Sequence, residues 1–221
     1  MASGDRRGRR VSGLSEFQTE VARVFFSLPA ADGFLLAGGG GLLASGLTSR
    51  ATHDLDFFGD PTQVDVAAAC GEFEAAIAER GWSSRWLHHS ATFVRLHVIA
   101  GDEELIVELA VDVPAGRPPV MTIVGPTFDP EELAGRKLAA LFGRAEARDF
   151  ADVYVLERRF GRPLLLERAA EIDAGFDHVV LAEMMGTLDR FTDDEIPIDT
   201  DEVGALRAFF TDWAHELSNK T

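Results

Sequence analysis

The chain reads as an α/β (α+β) protein, a small mixed sheet flanked by helices and followed from about residue 127 by a helical bundle. Two observations predict this. Every strand-like apolar run, from Phe34-Leu35-Leu36-Ala37 to Val120, falls before residue 126, whereas helical periodicity and helix-start signals dominate after Asp129. The length of 221 residues, with 46% hydrophobic and 26% charged residues, is enough to bury a sizeable core.

Taken in order, residues 1–12 are polar and carry Arg6, Arg7, Arg9 and Arg10, a composition expected to stay disordered. Ser15-Glu16-Phe17-Gln18 forms a capping box, and Phe17, Val21, Val24 and Phe25 recur at helical spacing until Pro29. A buried strand at 34–37 breaks into four glycines at 38–41. A short amphipathic segment with Leu42, Leu43 and Leu47 follows, then a second strand, Asp54-Leu55-Asp56-Phe57-Phe58. Residues 64–80 predict a helix stopped by Gly81. Residues 82–87 and 91–99 predict strands joined by a tight turn at His88-His89, and neighbouring strand residues face opposite ways, which suits no shared ion. In the strand at 103–113, Leu105, Val107, Leu109 and Val111 alternate with Ile106, Glu108, Ala110 and Asp112, and residues 120–124 predict a further short strand.

Beyond the sheet, Asp129-Pro130-Glu131-Glu132 is a strong helix start. On that helix Leu133, Leu138 and Leu141 point inward and Lys137 is expected on another part of the surface. In the helix at 147–159, Asp149 and Asp152 share a face, with Arg144 and Arg148 on their own. Helices at 163–174, 176–191 and 201–217 complete the chain, the last opened by an Asp199-x-x-Glu202 box, and Asp193-Asp194-Glu195 reads as a solvated acidic loop.

Net charge of −16 argues against non-specific coating of nucleic acid but leaves room for a local basic patch. The single Cys70 excludes an internal disulfide and reads as a buried thiol in a reducing cytoplasm. No apolar run approaches the ~20 residues of a membrane span, and no secretory signal is visible. The chemistry concentrates in residues 34–58. A strand that breaks into glycines just before a helix leaves backbone N–H groups free to face an anion. Asp54 and Asp56, two apart on a strand, project to one side, and oxygen-only ligands beside phosphate suit Mg²⁺. Together these residue types describe a nucleotide site.

The run Gly38-Gly39-Gly40-Gly41-Leu42-Leu43, the run Arg50-Ala51-Thr52-His53-Asp54-Leu55-Asp56-Phe57-Phe58, and Glu131-Glu132-Leu133-Ala134-Gly135-Arg136-Lys137-Leu138-Ala139-Ala140-Leu141 leading into Arg148-Asp149-Phe150-Ala151-Asp152-Val153-Tyr154 resemble a known family. It is that of the AbiEii/AbiGii-type nucleotidyltransferase toxins of type IV-like toxin–antitoxin systems, in the DNA polymerase β-like nucleotidyltransferase superfamily. The resemblance implies a polymerase β-like core over residues 13–126 and a helical region over 127–221. It implies transfer of NMP from an NTP to an acceptor hydroxyl, the 3′ end of tRNA, by a toxin countered by a cognate antitoxin. It further implies Mg²⁺, with Mn²⁺ as substitute, held by Asp54, Asp56 and a third carboxylate on a neighbouring strand. Glu108 is preferred for that place, because a mid-strand charge between apolar neighbours is costly without a partner; Asp112, beside Pro114, is the runner-up.

Gly38, Gly39, Gly40 and Arg50 would bind the phosphates with Lys137 as a point charge, and Asp149 would order Lys137 or Arg50. Family members are silenced by phosphorylation at the Ser or Thr matching Thr52, which makes Thr52 the candidate regulatory phosphate acceptor. Two other readings use the same residues. A small-molecule nucleotidyltransferase of the antibiotic-modifying kind needs an acceptor pocket with a carboxylate base and no basic path for RNA. A non-catalytic nucleotide-binding module needs no convergence of carboxylates.

Overall fold

The computed structural model describes residues 13–219, so the arginine tail lies outside the described residues. The chain divides into two units, Met1–Phe128 and Asp129–Thr221. The first comprises α1 (Glu16–Phe26), β1 (Phe34–Leu36), α2 (Gly38–Ala44), β2 (Asp54–Gly59), α3 (Val66–Ala78), β3 (Ser83–His89), β4 (Phe93–Ala100), β5 (Glu103–Val111), β6 (Val120–Met121) and β7 (Pro126–Thr127). The division falls after Phe128 because β7 pairs in parallel with β1, Leu36 opposite Thr127, and so belongs to the sheet.

The strands form one mixed sheet in the order β3-β4-β5-β2-β1-β7-β6. Its core face follows directly from the period of two. Leu55 and Phe57 on β2, Val94, Leu96 and Val98 on β4, and Leu105, Val107 and Leu109 on β5 are all buried. Against them pack α1 and α3, through Phe17, Val21 and Phe25 and through Ala69, Cys70, Phe73 and Ile77. Phe25 stacks on Phe57 with ring centroids 4.2 Å apart, a pair contributing about 1 kcal/mol beyond its buried area. The start of α1 is fixed as its sequence predicts: Gln18 N–H donates to the Ser15 hydroxyl at 3.0 Å and the Gln18 carbonyl oxygen accepts from Ser15 N–H at 2.9 Å. The opposite face of β2 and β5 carries Asp54, Asp56, Glu104 and Glu108 together with Phe58, Ile106 and Ala110.

The second unit is helical: α4 (Pro130–Gly143), α5 (Ala147–Phe160), α6 (Arg162–Ile172), α7 (His178–Gly186) and α8 (Val203–Ser218). Its α5–α8 core centres on Phe150 edge-on to Phe210 at 5.0 Å. Among the described residues no helix is long and apolar enough to cross a membrane.

Several sequence expectations shift. His88 and His89 belong to β3 rather than to a turn; β3 carries an irregularity between Trp86 and His88, and the chain turns at residues 90–92. The strand expected at 120–124 is a two-residue β6, antiparallel to a β7 that the sequence pattern does not announce. The helix expected at 176–191 ends at Gly186 and continues as a 3-10 turn, Thr187–Arg190. The acidic stretch Asp193–Glu195 is itself a 3-10 turn, closed by Thr192 with Glu195, and Asp193 accepts from Arg207 at 2.7 Å. No box opens α8: Glu202 makes no side-chain cap, and its carboxylate pairs with Arg158 at 3.2 Å instead.

Candidate functional site

Register assembles the open face of the sheet. β2 and β5 run parallel with Asp54 level with Ile106 and Asp56 level with Glu108. β4 then sets His97 level with Ile106 and Arg95 level with Glu108. Residues level with one another on paired strands face the same side. Two rows therefore cross the face opposite the core, one through Asp54, Ile106 and His97, the other through Asp56, Glu108 and Arg95. Arg95 Nε lies 3.3 Å from Glu108 Oε1. Asp112 follows the end of β5, where its N–H donates to Gly59 O at 2.9 Å and its carboxylate accepts from Val113 N–H. The register thus places Glu108, and not Asp112, beside Asp56. Among the described residues, no group of three His, Cys, Asp or Glu side chains is gathered closely enough to hold a metal ion. The donor set along β2 and β5 is nonetheless made of carboxylate oxygens alone, the chemistry a hard cation takes.

The glycine run, expected just before a helix, is itself the first turn of α2. Three of its members answer three neighbours. A Cβ at Gly38, where φ is +56°, would come within 1.6 Å of Asp56 Oδ2. At Gly39 it would meet Thr52 Oγ1 at 2.6 Å and the Arg50 guanidinium at 3.5 Å, and at Gly40 it would meet Leu55 Cδ2 at 2.9 Å. Only glycine lets the Asp56 carboxylate and the Thr52 hydroxyl lie against the start of this helix. The first N–H groups of an α-helix have no acceptor within the helix, and no side chain caps α2.

Thr52 enters the strand buried, its hydroxyl donating to Asp54 Oδ1 at 2.5 Å. Its carbonyl accepts from Gln18 Nε2 at 2.8 Å. Gln18 is the residue that sequence reading understated. The capping box accounts for one end of its amide; the other end, which a buried glutamine must also satisfy, ties α1 to the approach to Asp54. Arg50 donates to Ala51 O at 3.0 Å. Beside these residues opens a cavity of about 600 Å³, lined among others by Gln18, Thr52, His53, His97, Glu104 and Ile106.

In the second unit, Lys137 of α4 is only 6% exposed, which corrects its expected place on the surface. Lys137 Nζ lies 2.8 Å from Asp152 Oδ2 and 4.0 Å from Asp149 Oδ1, both carboxylates belonging to α5. Arg144 closes the cluster with two hydrogen bonds to Asp149, at 2.9 and 3.1 Å, and Glu146 N–H adds a third. The side chains of Asp149 and Asp152 are fully buried. Asp152 and Arg144 are therefore the partners that hold Lys137 and Asp149. The spacing of Asp149 and Asp152 in α5 was visible in the sequence, but their burial was not.

Known proteins share this architecture. A family model described as the nucleotidyl transferase AbiEii toxin of type IV toxin–antitoxin systems matches residues 22–217. No curated protein matches the chain. Among solved structures, a putative nucleotidyltransferase from Helicobacter pylori superposes with TM-score 0.56 at 20% identity, covering 94% of this chain and 99% of its own. JHP933 from H. pylori superposes with TM-score 0.54 at 19% identity, over 94% and 96%. MenT4, a nucleotidyltransferase toxin from Mycobacterium tuberculosis, gives 0.56 at 16% identity, over 92% and 89%. At these identities the likeness to solved structures shows a shared fold.

Proposed function

Since the chain belongs to the nucleotidyl transferase AbiEii toxin family, and is on that ground a nucleotidyltransferase, we propose that it transfers NMP from an NTP to the 3′ end of a tRNA and depends on Mg²⁺. The observation that carries this reading is the Asp56 carboxylate lying against Gly38 at the start of α2, on the strand face it shares with Asp54. In this reading the N–H groups of Gly38, Gly39 and Gly40 and the Arg50 guanidinium receive the phosphates. Asp54 and Asp56, with Glu108 as the third carboxylate, would hold Mg²⁺ or Mn²⁺, which would supply acidification of the acceptor hydroxyl and neutralisation of the leaving pyrophosphate. Thr52 keeps Asp54 in place through its hydroxyl, and Gln18 keeps Thr52 in place through its carbonyl. The reaction balances as an in-line displacement: the acceptor oxygen bonds to the α-phosphorus and releases its proton while the bond to the β-phosphate oxygen breaks.

The cognate partner is an antitoxin, and the same geometry gives it a point of action. A phosphate on Thr52 would replace the hydroxyl that donates to Asp54 with close to two negative charges beside that carboxylate. Mass spectrometry of protein produced with its antitoxin should then find the phosphate on Thr52 and no transfer activity. A fully silenced Thr52→Ala protein would place neutralisation elsewhere.

Transfer itself is tested with purified protein, total tRNA and each α-labelled NTP in turn. Label should enter RNA from one NTP or a subset, and Asp56→Ala should abolish it. NTP binding without any labelled RNA in all four reactions would overturn the tRNA reading.

A further inference from the structure

Residues 83–100 carry Arg85, His88, His89, Arg95 and His97 and no acidic residue, inside a chain with 37 Asp and Glu and a net charge of −16. The register sorts these side chains by face. Arg85 is level with His97 and His88 with Arg95. His97 and Arg95 are in turn level with Ile106 and Glu108, whose partners on β2 are Asp54 and Asp56. Four basic side chains therefore share the face of the two aspartates, in two rows that run to them. The irregularity between Trp86 and His88 is what makes this possible. Residues 85 and 88 stand three apart and would face opposite sides of a regular strand; the slipped register returns His88 to the face of Arg85. Phe93, level with Ala110, lies on the same face, its ring 5.4 Å from that of His88. Arg85, His88 and Arg95 are exposed.

The sheet order gives this strip a direction. β1, from which α2 springs, flanks β2 on one side, and β5 and β4 flank it on the other. If the start of α2 receives the phosphates that leave, an in-line attack brings the acceptor from the side of β5 and β4. Arg95 stands two strands from Asp56, about 10 Å at the usual strand spacing, and already reaches Glu108.

We propose that this face of the β3–β4 hairpin docks the single-stranded end of an RNA acceptor. Its phosphates lie against Arg85 and Arg95, and a base rests on His88 and Phe93. Arg95 pairs with Glu108 and His97 with Glu104, so the phosphate contacts fall first to the exposed Arg85, with the His88 and Phe93 rings as the stacking element of a sequence-tolerant single-strand surface. A basic path beside the carboxylates is what a small-molecule transferase would lack. The proposal rests on the reading of this chain as a transferase with an RNA acceptor.

The test measures binding of a fluorescently labelled single-stranded oligoribonucleotide without NTP or divalent metal, across a salt series. The wild type should bind with an affinity that falls as salt rises. Arg85→Ala with His88→Ala should weaken binding roughly tenfold and flatten the slope by about 0.7 for each RNA phosphate no longer neutralised. Arg85→Glu should weaken it further, with NTP affinity unchanged in all variants. Wild-type RNA affinity and slope in these variants would overturn the docking surface alone. A wild-type protein that binds no RNA yet transfers NMP to a small hydroxyl acceptor would overturn both this surface and the tRNA reading, while leaving the transfer chemistry intact.

Discussion

The two units treat charge in opposite ways. On β2 and β5, Asp54, Asp56 and Glu108 are half-buried on an open sheet face, next to glycine backbone and within reach of solvent. In the helical unit, Lys137, Asp149 and Asp152 are withdrawn from water and matched with one another and with Arg144. A carboxylate that takes a ligand has to stay open to it, whereas a buried ion pair exchanges hydration for mutual attraction and destabilises strongly when one partner is removed. One cluster is open to a ligand and the other is closed on itself, and each can be broken on its own terms.

The largest effect should come from the open cluster. Asp54→Ala and Asp56→Ala should each lower nucleotide transfer by at least about 10³-fold, while urea unfolding stays within about 1 kcal/mol of wild type, the range for half-exposed sites. Comparable losses of stability in these variants would erase the distinction. The closed cluster should respond the other way. Asp152→Ala leaves Lys137 without its 2.8 Å partner and should cost about 3 kcal/mol in urea unfolding. Lys137→Met combined with Asp152→Leu should recover most of that loss, because well-packed apolar side chains often replace a buried pair at little cost. If Lys137→Ala instead lowers NTP affinity at unchanged stability, the lysine acts on phosphate as the family resemblance implies.

Glu108→Gln should slow transfer by about 10²-fold, with Asp112→Asn within a few-fold of wild type; the reverse order would move the third carboxylate past the end of β5. Gln18→Leu should cost about 1–3 kcal/mol, since it leaves Thr52 O and Ser15 N–H without the amide that serves both. The smallest effect concerns Cys70. Burial, and after it the neighbouring Glu74, pushes its thiol up to about 12. Folded protein should resist alkylation at pH 8, where urea-unfolded protein reacts completely.

The open cluster was largely legible because it depends on a local rule. Alternation alone predicts that Leu55 and Phe57 go inward and that Asp54 and Asp56 go outward together, and both apolar residues are fully buried. The choice between Glu108 and Asp112 was harder, since both have the same parity. The parallel register of β2 and β5 separates them, and that pairing joins segments far apart in the chain. His88 and His89 were misplaced for a related reason: an irregular register keeps the strand going where two polar residues resemble a turn. The closed cluster was illegible because an inward leucine stripe assumes one buried face, while α4 is flanked by α5, α6 and α7. Gly135 shows how tightly it is surrounded, since a Cβ there would come within 2.4 Å of Arg168. On such a helix even a lysine is enclosed, and its partners lie on the next helix.

The measurement that tests the contrast most directly is a set of thermal melts of wild type, Asp54→Ala with Asp56→Ala, and Asp152→Ala, each with and without Mg²⁺. Mg²⁺ should raise the Tm of the wild type by mass action. The Asp54/Asp56 double variant should melt at or above the wild-type temperature without metal and gain nothing from it. Asp152→Ala should melt lower and keep the full Mg²⁺ response. A double variant that melts as low as Asp152→Ala, or that still gains the wild-type increment from Mg²⁺, would erase the contrast between the two clusters.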